Sequence, residues 1–358
     1  MMPDQGKAVT LRARRALVGE QLRVVDDPIV VVQDGHISAI GSGEPALEDA
    51  SSIDLGQVLL LPGFIDTHVH IGFYEPAEVL QGGVTTVRDL AWPPDEIFDL
   101  AARSLSASFE GPTILAAGPM LTVEGGYPMR AAWAPEGTGH PLSDPAQVEV
   151  VIAGLVQRGA VVIKVALNPP VGPTFDARLL RTIVAAAHQA GLRVTGHIYG
   201  LDELNKALDA GIDELAHMLM SPEKIPAATI ARMVEQDLVV VPTLSIFYGG
   251  DQTVAIENLR AFVEAGGRVV YGTDLGNEGP KPGIDPREIE ALHRAGLDTR
   301  AIVASGTVDA ATWLDLNDVG VLDPGKRADI IAVAPEALED PVALADVRFV
   351  MRHGAVRR

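Results

Sequence analysis

Eight strand-like runs alternate with helical patterns through the middle of this 358-residue chain, and no other feature constrains the fold as much. Alternating strands and helices favour parallel βαβ units, and eight such units are the number that closes a barrel. The predicted fold is therefore α/β, with a (β/α)8 barrel of the TIM type. The eight runs are Phe64–His70, Val84–Arg88, Thr113–Ala117, Val161–Val165, Arg193–His197, Glu214–His217, Val239–Thr243 and Val269–Thr273.

Two of the helical patterns are each followed by a glycine that would end the helix. Asp176–Ala190 places apolar residues on one face of a helix and is followed by Gly191. Asp202–Ala210 is shorter, shows the same periodicity, and is followed by Gly211. Glycine readily takes the left-handed conformation that ends a helix, so both segments are predicted to be helices.

Both ends of the chain are rich in short strands. The run Ile29–Gln33 leads through the turn pair Asp34-Gly35 into a return strand at His36–Gly41, which predicts a hairpin. Strand-like pieces recur at Gly325–Val333 and Val347–Gly354. We predict a small β-sandwich domain formed from both termini, residues 1–61 and 315–358, around a barrel domain of residues 62–314.

The composition excludes several classes of function. Hydrophobic residues make up 47% and charged residues 21% of the chain, which is typical of a globular protein. A net charge of −20 argues against a nucleic-acid partner and gives no reason to expect a membrane partner. The absence of cysteine excludes disulfides, thiolate zinc sites and cysteine nucleophiles. The segment Met1–Lys7 lacks the apolar core of a signal peptide, so a cytoplasmic location is expected.

Polar residues lie where the chemistry of such a barrel is found, at the C-terminal ends of the strands. The imidazoles of His68 and His70 project from the same side of the first strand, as metal ligands would. A lysine interrupts the apolar fourth strand, and a histidine or an aspartate ends three later strands. These residues are Lys164, His197, His217 and Asp274.

Each of these residues also has a purely structural interpretation. His197 and His217 could be core histidines bonded to backbone carbonyl groups. Lys164 could form an ion pair with a buried carboxylate, because an unpaired buried charge is costly. Asp274 could cap the segment that follows it. Their joint occurrence at one end of the barrel favours a shared site.

The ordered set His-x-His, Lys, His, His, Asp resembles the amidohydrolase superfamily of metal-dependent hydrolases. Within that superfamily the chain is most similar to the prolidase-like and imidazolonepropionase-related branch. The stretches that carry the resemblance are Leu61–His70, Gly82–Asp89, Gly196–Gly200, Tyr271–Asp274 and the tail Gly320–Asp329.

The resemblance implies a site for two divalent metal ions, with zinc expected and manganese among the alternatives. His68 and His70 would hold the first ion together with Asp274. His197 and His217 would hold the second.

The resemblance also implies how such a site works. Lys164, carboxylated by carbon dioxide, would bridge the two ions as a carbamate. A hydroxide shared by the ions would attack the substrate, and Asp274 would act as general base and then general acid. Asp66, on the same strand face as His68, is expected to support that ligand, or else to be a structural carboxylate at the barrel rim.

Three residues are candidates for contacts with the substrate. Tyr199, two positions after His197, could donate to the carbonyl oxygen or to a substrate carboxylate; the alternative is a packing aromatic. Arg88 could bind a substrate carboxylate, or form a salt bridge with Asp89 or another acid at the rim. Tyr127 stands where many relatives carry a histidine, inside the long segment Leu121–Pro145, which is predicted to form a lid or a substrate wall.

The predicted function is hydrolysis of a C–N bond, in an amide or cyclic amide of a small molecule. An ester or lactone could be cleaved by the same site. A mononuclear deaminase is a further alternative, in which Lys164 would be structural and an acid such as Glu203 would be needed near His197. The least favoured alternative is a metal-free binding scaffold. A homo-oligomer is compatible with the sequence.

Overall fold

The computed structural model describes residues 8–42, 51–247 and 252–358. The segment Met1–Lys7, from which a cytoplasmic location was inferred, lies outside the described residues. The strands are β1 Val9–Arg12, β2 Arg15–Val18, β3 Arg23–Asp26, β4 Pro28–Gln33, β5 His36–Ser42, β6 Ser51–Asp54, β7 Leu59–Pro62, β8 Phe64–Val69, β9 Val84–Asp89, β10 Thr113–Ala116, β11 Met120–Thr122, β12 Gly139–Pro141, β13 Ile163–Leu167, β14 Val194–Ile198, β15 Glu214–Leu215, β16 Val239–Val240, β17 Arg268–Val269, β18 Ile330–Val333, β19 Val347–Arg352 and β20 Ala355–Val356. The helices are α1 Pro76–Gln81, α2 Pro94–Ser104, α3 Val148–Arg158, α4 Ala177–Gln189, α5 Leu201–Ala210, α6 Ala227–Glu235, α7 Gln252–Glu264, α8 Pro286–Arg294, α9 Thr299–Ser305 and α10 Val308–Trp313.

Parallel strands form the middle of the chain, in two sheets of order β10-β9-β8 and β12-β11-β13-β14-β15-β16-β17. The amide of Thr67 bonds the carbonyl oxygen of Tyr271 at 3.0 Å, which connects β8 to the segment after β17. The amide of Val161 bonds the carbonyl oxygen of Ala116 at 3.0 Å, beside the other edge. The predicted α/β fold with parallel strands is confirmed, and each of the eight predicted runs overlaps a strand.

Two details of the strands differ from the prediction. The fourth run begins later than predicted, at Ile163, so Lys164 is the second residue of β13. The last three strands of the parallel sheets, β15, β16 and β17, are only two residues long. The predicted ends of these runs, His217 among them, lie outside the strands.

The two predicted helices are present and end where glycine follows. Asp176 caps α4, its carboxylate accepting the Leu179 amide at 2.7 Å. Gly211, at φ +80°, ends α5 in the left-handed conformation. Among the helices of the described residues, none is both long and apolar enough to cross a membrane.

The terminal strands build two further sheets, β5-β4-β1-β6 and β20-β19-β18-β7-β2-β3. The predicted hairpin joins β4 to β5, and Asp34 and Gly35 take φ +50° and +78° in its turn. Apolar side chains of both sheets share one buried cluster, which includes Leu11 and Val30 from one sheet and Ile330 and Phe349 from the other. The domain limits at residues 61/62 and 314/315 stay a prediction.

Candidate metal centre

Two histidines and an aspartate meet at the C-terminal side of the parallel strands. His68 lies in β8 and His70 follows its end, while Asp274 lies in the segment after β17. The Nε2 atoms of His68 and His70 each lie 3.2 Å from Oδ1 of Asp274. One donor atom from each of the three buried residues lies within 4.8 Å of the other two. Two imidazoles and a carboxylate so arranged can hold one divalent ion.

Backbone carbonyl groups orient both rings. Nδ1 of His68 lies 2.5 Å from the carbonyl oxygen of Ala216, and Nδ1 of His70 lies 3.0 Å from that of Ala91. Because a carbonyl oxygen only accepts, each Nδ1 donates, and a neutral ring keeps its Nε2 lone pair for the centre of the site. Oδ1 of Asp274 is buried and accepts no hydrogen bond from the described residues. These donors fit a divalent ion, which would compete with a proton for the space between them.

The charge of the cluster favours an anionic aspartate. Burial by itself raises the pKa of Asp274, but His68 and His70 outweigh burial and hold that pKa well below its ordinary value. Burial lowers the pKa of His68 well below its ordinary value. For His70 the lowering by burial is overcome by the Asp274 carboxylate, which raises the pKa. Asp274 is therefore a carboxylate at neutral pH.

A second pair of histidines faces the first cluster. His197 in β14 and His217 after β15 are both buried, and Nδ1 of His197 lies 2.8 Å from Nε2 of His217. The ring of His217 stacks against that of His68 with centroids 6.2 Å apart. Burial lowers the pKa of His217 to about 4 and that of His197 well below its ordinary value. Both rings are neutral at pH 7 and could each give a lone pair to an ion.

Lys164 is buried, with 1% of its surface exposed. Burial lowers the pKa of Lys164 to about 7, although Asp274 and Glu214 oppose the shift. Its charge in turn contributes to the lowered pKa of His68 and of His217. Lys164 therefore acts electrostatically on both histidine pairs.

Asp66 ties together the two segments that carry the first cluster. Its Oδ1 accepts the amides of His68 and Thr273, each at 3.1 Å, and its Oδ2 accepts the Thr273 hydroxyl at 2.6 Å. Burial raises the pKa of Asp66 to about 7 despite these bonds. The predicted supporting position of Asp66 corresponds to these contacts, which hold His68 and Asp274 in register.

Arg88 takes part in a buried salt bridge, which is one of the two interpretations that the sequence allowed. Its guanidinium donates to both oxygens of Glu214 at 2.7 and 2.8 Å and to the carbonyl oxygen of Thr67 at 2.8 Å. Arg88 is 2% exposed and Glu214 is 1% exposed. The salt-bridge alternative therefore describes Arg88 in this structure, with Glu214 rather than Asp89 as its partner.

Aromatic side chains cover the site from the long segment that the sequence predicted as a wall. Tyr127 stacks on His197 with ring centroids 4.5 Å apart. The ring centroid of Trp133 lies 5.1 Å from that of His70 and 6.1 Å from that of Tyr127. Burial raises the pKa of Tyr127 above its ordinary value, so its phenol keeps its proton. Tyr199 follows β14 and is half-buried.

Sequence reasoning did not single out Asn168, which touches His197. Its Nδ2 lies 2.9 Å from Nε2 of His197. The signal was present, since Asn168 directly follows the strand that carries Lys164. Trp133 lies within the predicted wall segment Leu121–Pro145, but nothing in the sequence shows that it reaches His70.

Parallel strands that gather histidine and carboxylate donors at their C-terminal ends are typical of hydrolases that use bound metal. Residues 59–357 match the family described as Amidohydrolase family, and the chain belongs to this family. The predicted superfamily is therefore confirmed, and the chain is an amidohydrolase, an enzyme of the class that hydrolyses carbon–nitrogen bonds.

Individual relatives share fewer than a third of their aligned residues with this chain. An imidazolonepropionase of Deinococcus deserti is 26% identical, with 89% of this chain and 88% of the relative covered. An enamidase of Eubacterium barkeri is 28% identical, covering 86% of this chain and 81% of the relative. The crystal structure of a Xaa-Pro dipeptidase with bound methionine is 21% identical, with a TM-score of 0.81 over 98% of this chain and 99% of that one. At that identity the structural match supports the fold alone.

Proposed function

We propose that this protein is a metal-dependent hydrolase that cleaves an amide or cyclic amide bond of a small molecule with two divalent ions. His68, His70 and Asp274 would hold one ion, and His197 and His217 the other. The observation that carries the proposal is the convergence of the first three side chains on one point, with the unpartnered Oδ1 of Asp274 among them. Zinc is the expected metal, and manganese suits the same donors.

Lys164, as a carbamate formed with carbon dioxide, would be a ligand shared by both ions. An ammonium group cannot bind a cation, whereas a carbamate offers two anionic oxygens. The burial of Lys164 beside both histidine pairs supports this role. The salt-bridge alternative has less support, because Glu214 already pairs with Arg88.

The chain's own residues would divide the remaining work. When bound, the ions supply an activated water and polarise the substrate carbonyl group. The Asp274 carboxylate would take a proton during attack and pass it to the leaving nitrogen. Tyr199 would donate from its phenol to the substrate carbonyl oxygen. Tyr127 and Trp133 would form an apolar wall that excludes water.

Two architectural features belong to the same proposal. The two parallel sheets would together form the (β/α)8 barrel, supported by the backbone bonds beside both edges, Thr67 to Tyr271 and Val161 to Ala116. The terminal sheets would form the β-sandwich domain, supported by their shared apolar cluster.

Esters and lactones remain the second candidate substrates, because the same attack and the same proton transfer serve them. The deaminase alternative has little support, since Glu203 pairs with Lys206 at 2.6 Å. A panel of N-acyl amino acids, dipeptides, lactams and lactones, assayed with metal-loaded enzyme, separates these activities.

Metal content tests the two-ion site directly. Protein purified without chelator should contain about two divalent ions per chain, measured by inductively coupled plasma mass spectrometry. Asp274→Asn should lower kcat by about 10²–10⁴-fold, because the proton carrier is lost. Asparagine tolerates the positive φ of +56° at this position, so the backbone should be kept. Full activity with a single ion would contradict the proposal.

Lys164→Ala tests the carbamate. The variant should lose activity and one ion, and a short carboxylic acid such as propionate should restore part of both by standing in for the carbamate oxygens. Lys224→Ala, which removes the lysine of the exposed pair with Glu257, is the control and should keep both ions. Unchanged activity of Lys164→Ala would exclude the bridging role.

A further inference from the structure

Asn168 has an unexplained buried oxygen beside the second histidine pair. The residue is 7% exposed, and its Nδ2 lies 2.9 Å from Nε2 of His197. Its Oδ1 is buried and has no hydrogen-bond partner among the described residues. Leaving a buried amide oxygen without a donor costs about 1–3 kcal/mol. A conformation in which this oxygen gains a donor would account for its placement.

The hydrogen positions on the two histidines follow from their partners. Nδ1 of His217 lies 2.9 Å from the carbonyl oxygen of Met218 and must donate to it, so Nε2 of the neutral His217 ring carries a lone pair. Nδ1 of His197, 2.8 Å from that atom, must then carry a hydrogen. Nε2 of His197 is left to accept from the amide nitrogen of Asn168. The contacts of Met218, His217, His197 and Asn168 are all consistent with one tautomer of His197, which carries its hydrogen on Nδ1.

That tautomer cannot bind a metal ion through the nitrogen that faces His217. To present a lone pair there, the neutral His197 ring must carry its hydrogen on Nε2 instead. Nε2–H then needs an acceptor, and the NH₂ group of Asn168 is not one. A half-turn of the amide about its Cβ–Cγ bond brings Oδ1 to the required position.

We propose that Asn168 is a positioning residue whose amide turns over when an ion binds, so that Oδ1 accepts from Nε2–H of His197. The ring stays neutral, since one hydrogen leaves Nδ1 and one is placed on Nε2. Oδ1 of Asn168, which has no partner among the described residues before the amide turns, accepts from His197 Nε2–H after it turns. This inference rests on the proposed two-ion function.

The surroundings hold the backbone of Asn168 and the plane of His197 fixed. The carbonyl oxygen of Asn168 accepts the amides of Val171 and Gly172 at 3.1 and 3.3 Å, so the turn is anchored while the side chain can rotate. Tyr127 stacks on the face of His197 with an interplanar angle of 26°. With that plane set, the two ring nitrogens of His197 form hydrogen bonds only with His217 and Asn168 among the described residues.

Zinc binding to three variants tests the inference. Asn168→Leu keeps the size of the side chain and removes the acceptor, so affinity for the second ion should fall by about 10–100-fold while the first ion binds as before. Asn168→Asp offers a permanent acceptor and should keep the second ion. Asn258→Leu is the matched control, since that buried amide bonds Ile225 and Glu223 instead, and it should bind both ions as wild type.

The tautomer is read by nitrogen NMR of protein labelled with ¹⁵N-histidine. In the wild type, the hydrogen of His197 should be on Nδ1 without zinc and on Nε2 with zinc. In Asn168→Asp, Nε2 should carry a hydrogen in both states, and Nδ1, which faces the lone pair of His217, should carry a second one only without zinc. The inference is overturned if His197 keeps one tautomer throughout, or if Asn168→Leu binds two ions with wild-type affinity. A wild-type protein that binds a single ion would overturn the proposed function as well.

Discussion

At the scale of single residues, the interior separates charges that are paired from charges that the site leaves without partners. Arg88 and Glu214 neutralise each other beneath the candidate ligands, and Glu214 also accepts the Thr195 hydroxyl at 2.6 Å. Oδ1 of Asp274, in contrast, lacks a hydrogen bond among the described residues. A buried pair of this kind adds little net stability but is costly to break. Oδ1 of Asp274 instead lies 3.2 Å from the imidazoles of His68 and His70, where a cation could bind all three.

We expect Arg88→Met to lower the free energy of unfolding by about 3–5 kcal/mol, because Glu214 would be left buried without its guanidinium partner. Urea unfolding measures the change. Arg348→Met is the control: Arg348 pairs with Asp346 at the surface, where solvent screens the pair, and its loss should leave the free energy of unfolding nearly unchanged. Adding Glu214→Gln to the first variant should recover part of the stability. A loss below about 1 kcal/mol for Arg88→Met would argue against a desolvated pair.

At the scale of elements, helix α8 carries a buried acid that the proposed chemistry does not use. Oε2 of Glu288 accepts the Ser245 amide at 2.7 Å, while Oε1 has no hydrogen-bond partner among the described residues. Asp285 caps the same helix, accepting the Glu288 amide at 3.0 Å. Burial, with a smaller contribution from Asp285, raises the pKa of Glu288 from 4.5 to about 8. The carboxyl is therefore neutral in the folded protein at pH 7.

The raised pKa of Glu288 determines how the stability of the folded protein changes with pH. The folded state holds the Glu288 proton more tightly than the unfolded state, so the contribution is full below about pH 4.5 and is lost as the pH rises to about 8. Glu288→Gln stays neutral and should escape that loss. Its stability relative to wild type should therefore rise by roughly 2–5 kcal/mol between pH 5 and pH 8.

Urea unfolding at several pH values measures the difference. Glu290→Gln, on the exposed face of the same helix, should follow the wild-type curve at every pH. Parallel curves for Glu288→Gln and wild type would show that Glu288 ionises as freely in the folded protein as in the unfolded chain.

At the scale of the whole molecule, one arginine links the terminal sheets to the central strands. Arg352, at the end of β19, donates to the carbonyl oxygens of Ser106 and Phe109, each at 3.3 Å. It also donates to the carbonyl oxygen of Ser104 at 2.5 Å and to the Thr113 hydroxyl at 3.1 Å. These acceptors lie from the end of α2, through the connection that follows it, to the start of β10, so the contacts span more than 200 residues of sequence.

Arg352→Met should lower the melting temperature without changing kcat, because several inward-facing carbonyl groups lose their donor while the candidate site is untouched. The cost should be about 2–4 kcal/mol. Differential scanning calorimetry and the activity of the folded fraction measure the two quantities. Arg23→Met, at an exposed position on the same sheet, should leave both unchanged. A fall in kcat for Arg352→Met would mean that the terminal sheets influence the site.

The sequence by itself determined the order of strands and helices and the identities of the candidate ligands. Those signals are local: apolar runs of strand length, helical periodicity ended by glycine, and polar residues at strand ends. The tertiary structure decided which groups meet. Arg88 finds Glu214, 126 positions away, and Asn168 finds His197, 29 positions away, only once the parallel strands are in register. Trp133 reaches His70 only because its loop folds back over the strand ends. Such contacts depend on the packing of distant segments, and no local pattern encodes them.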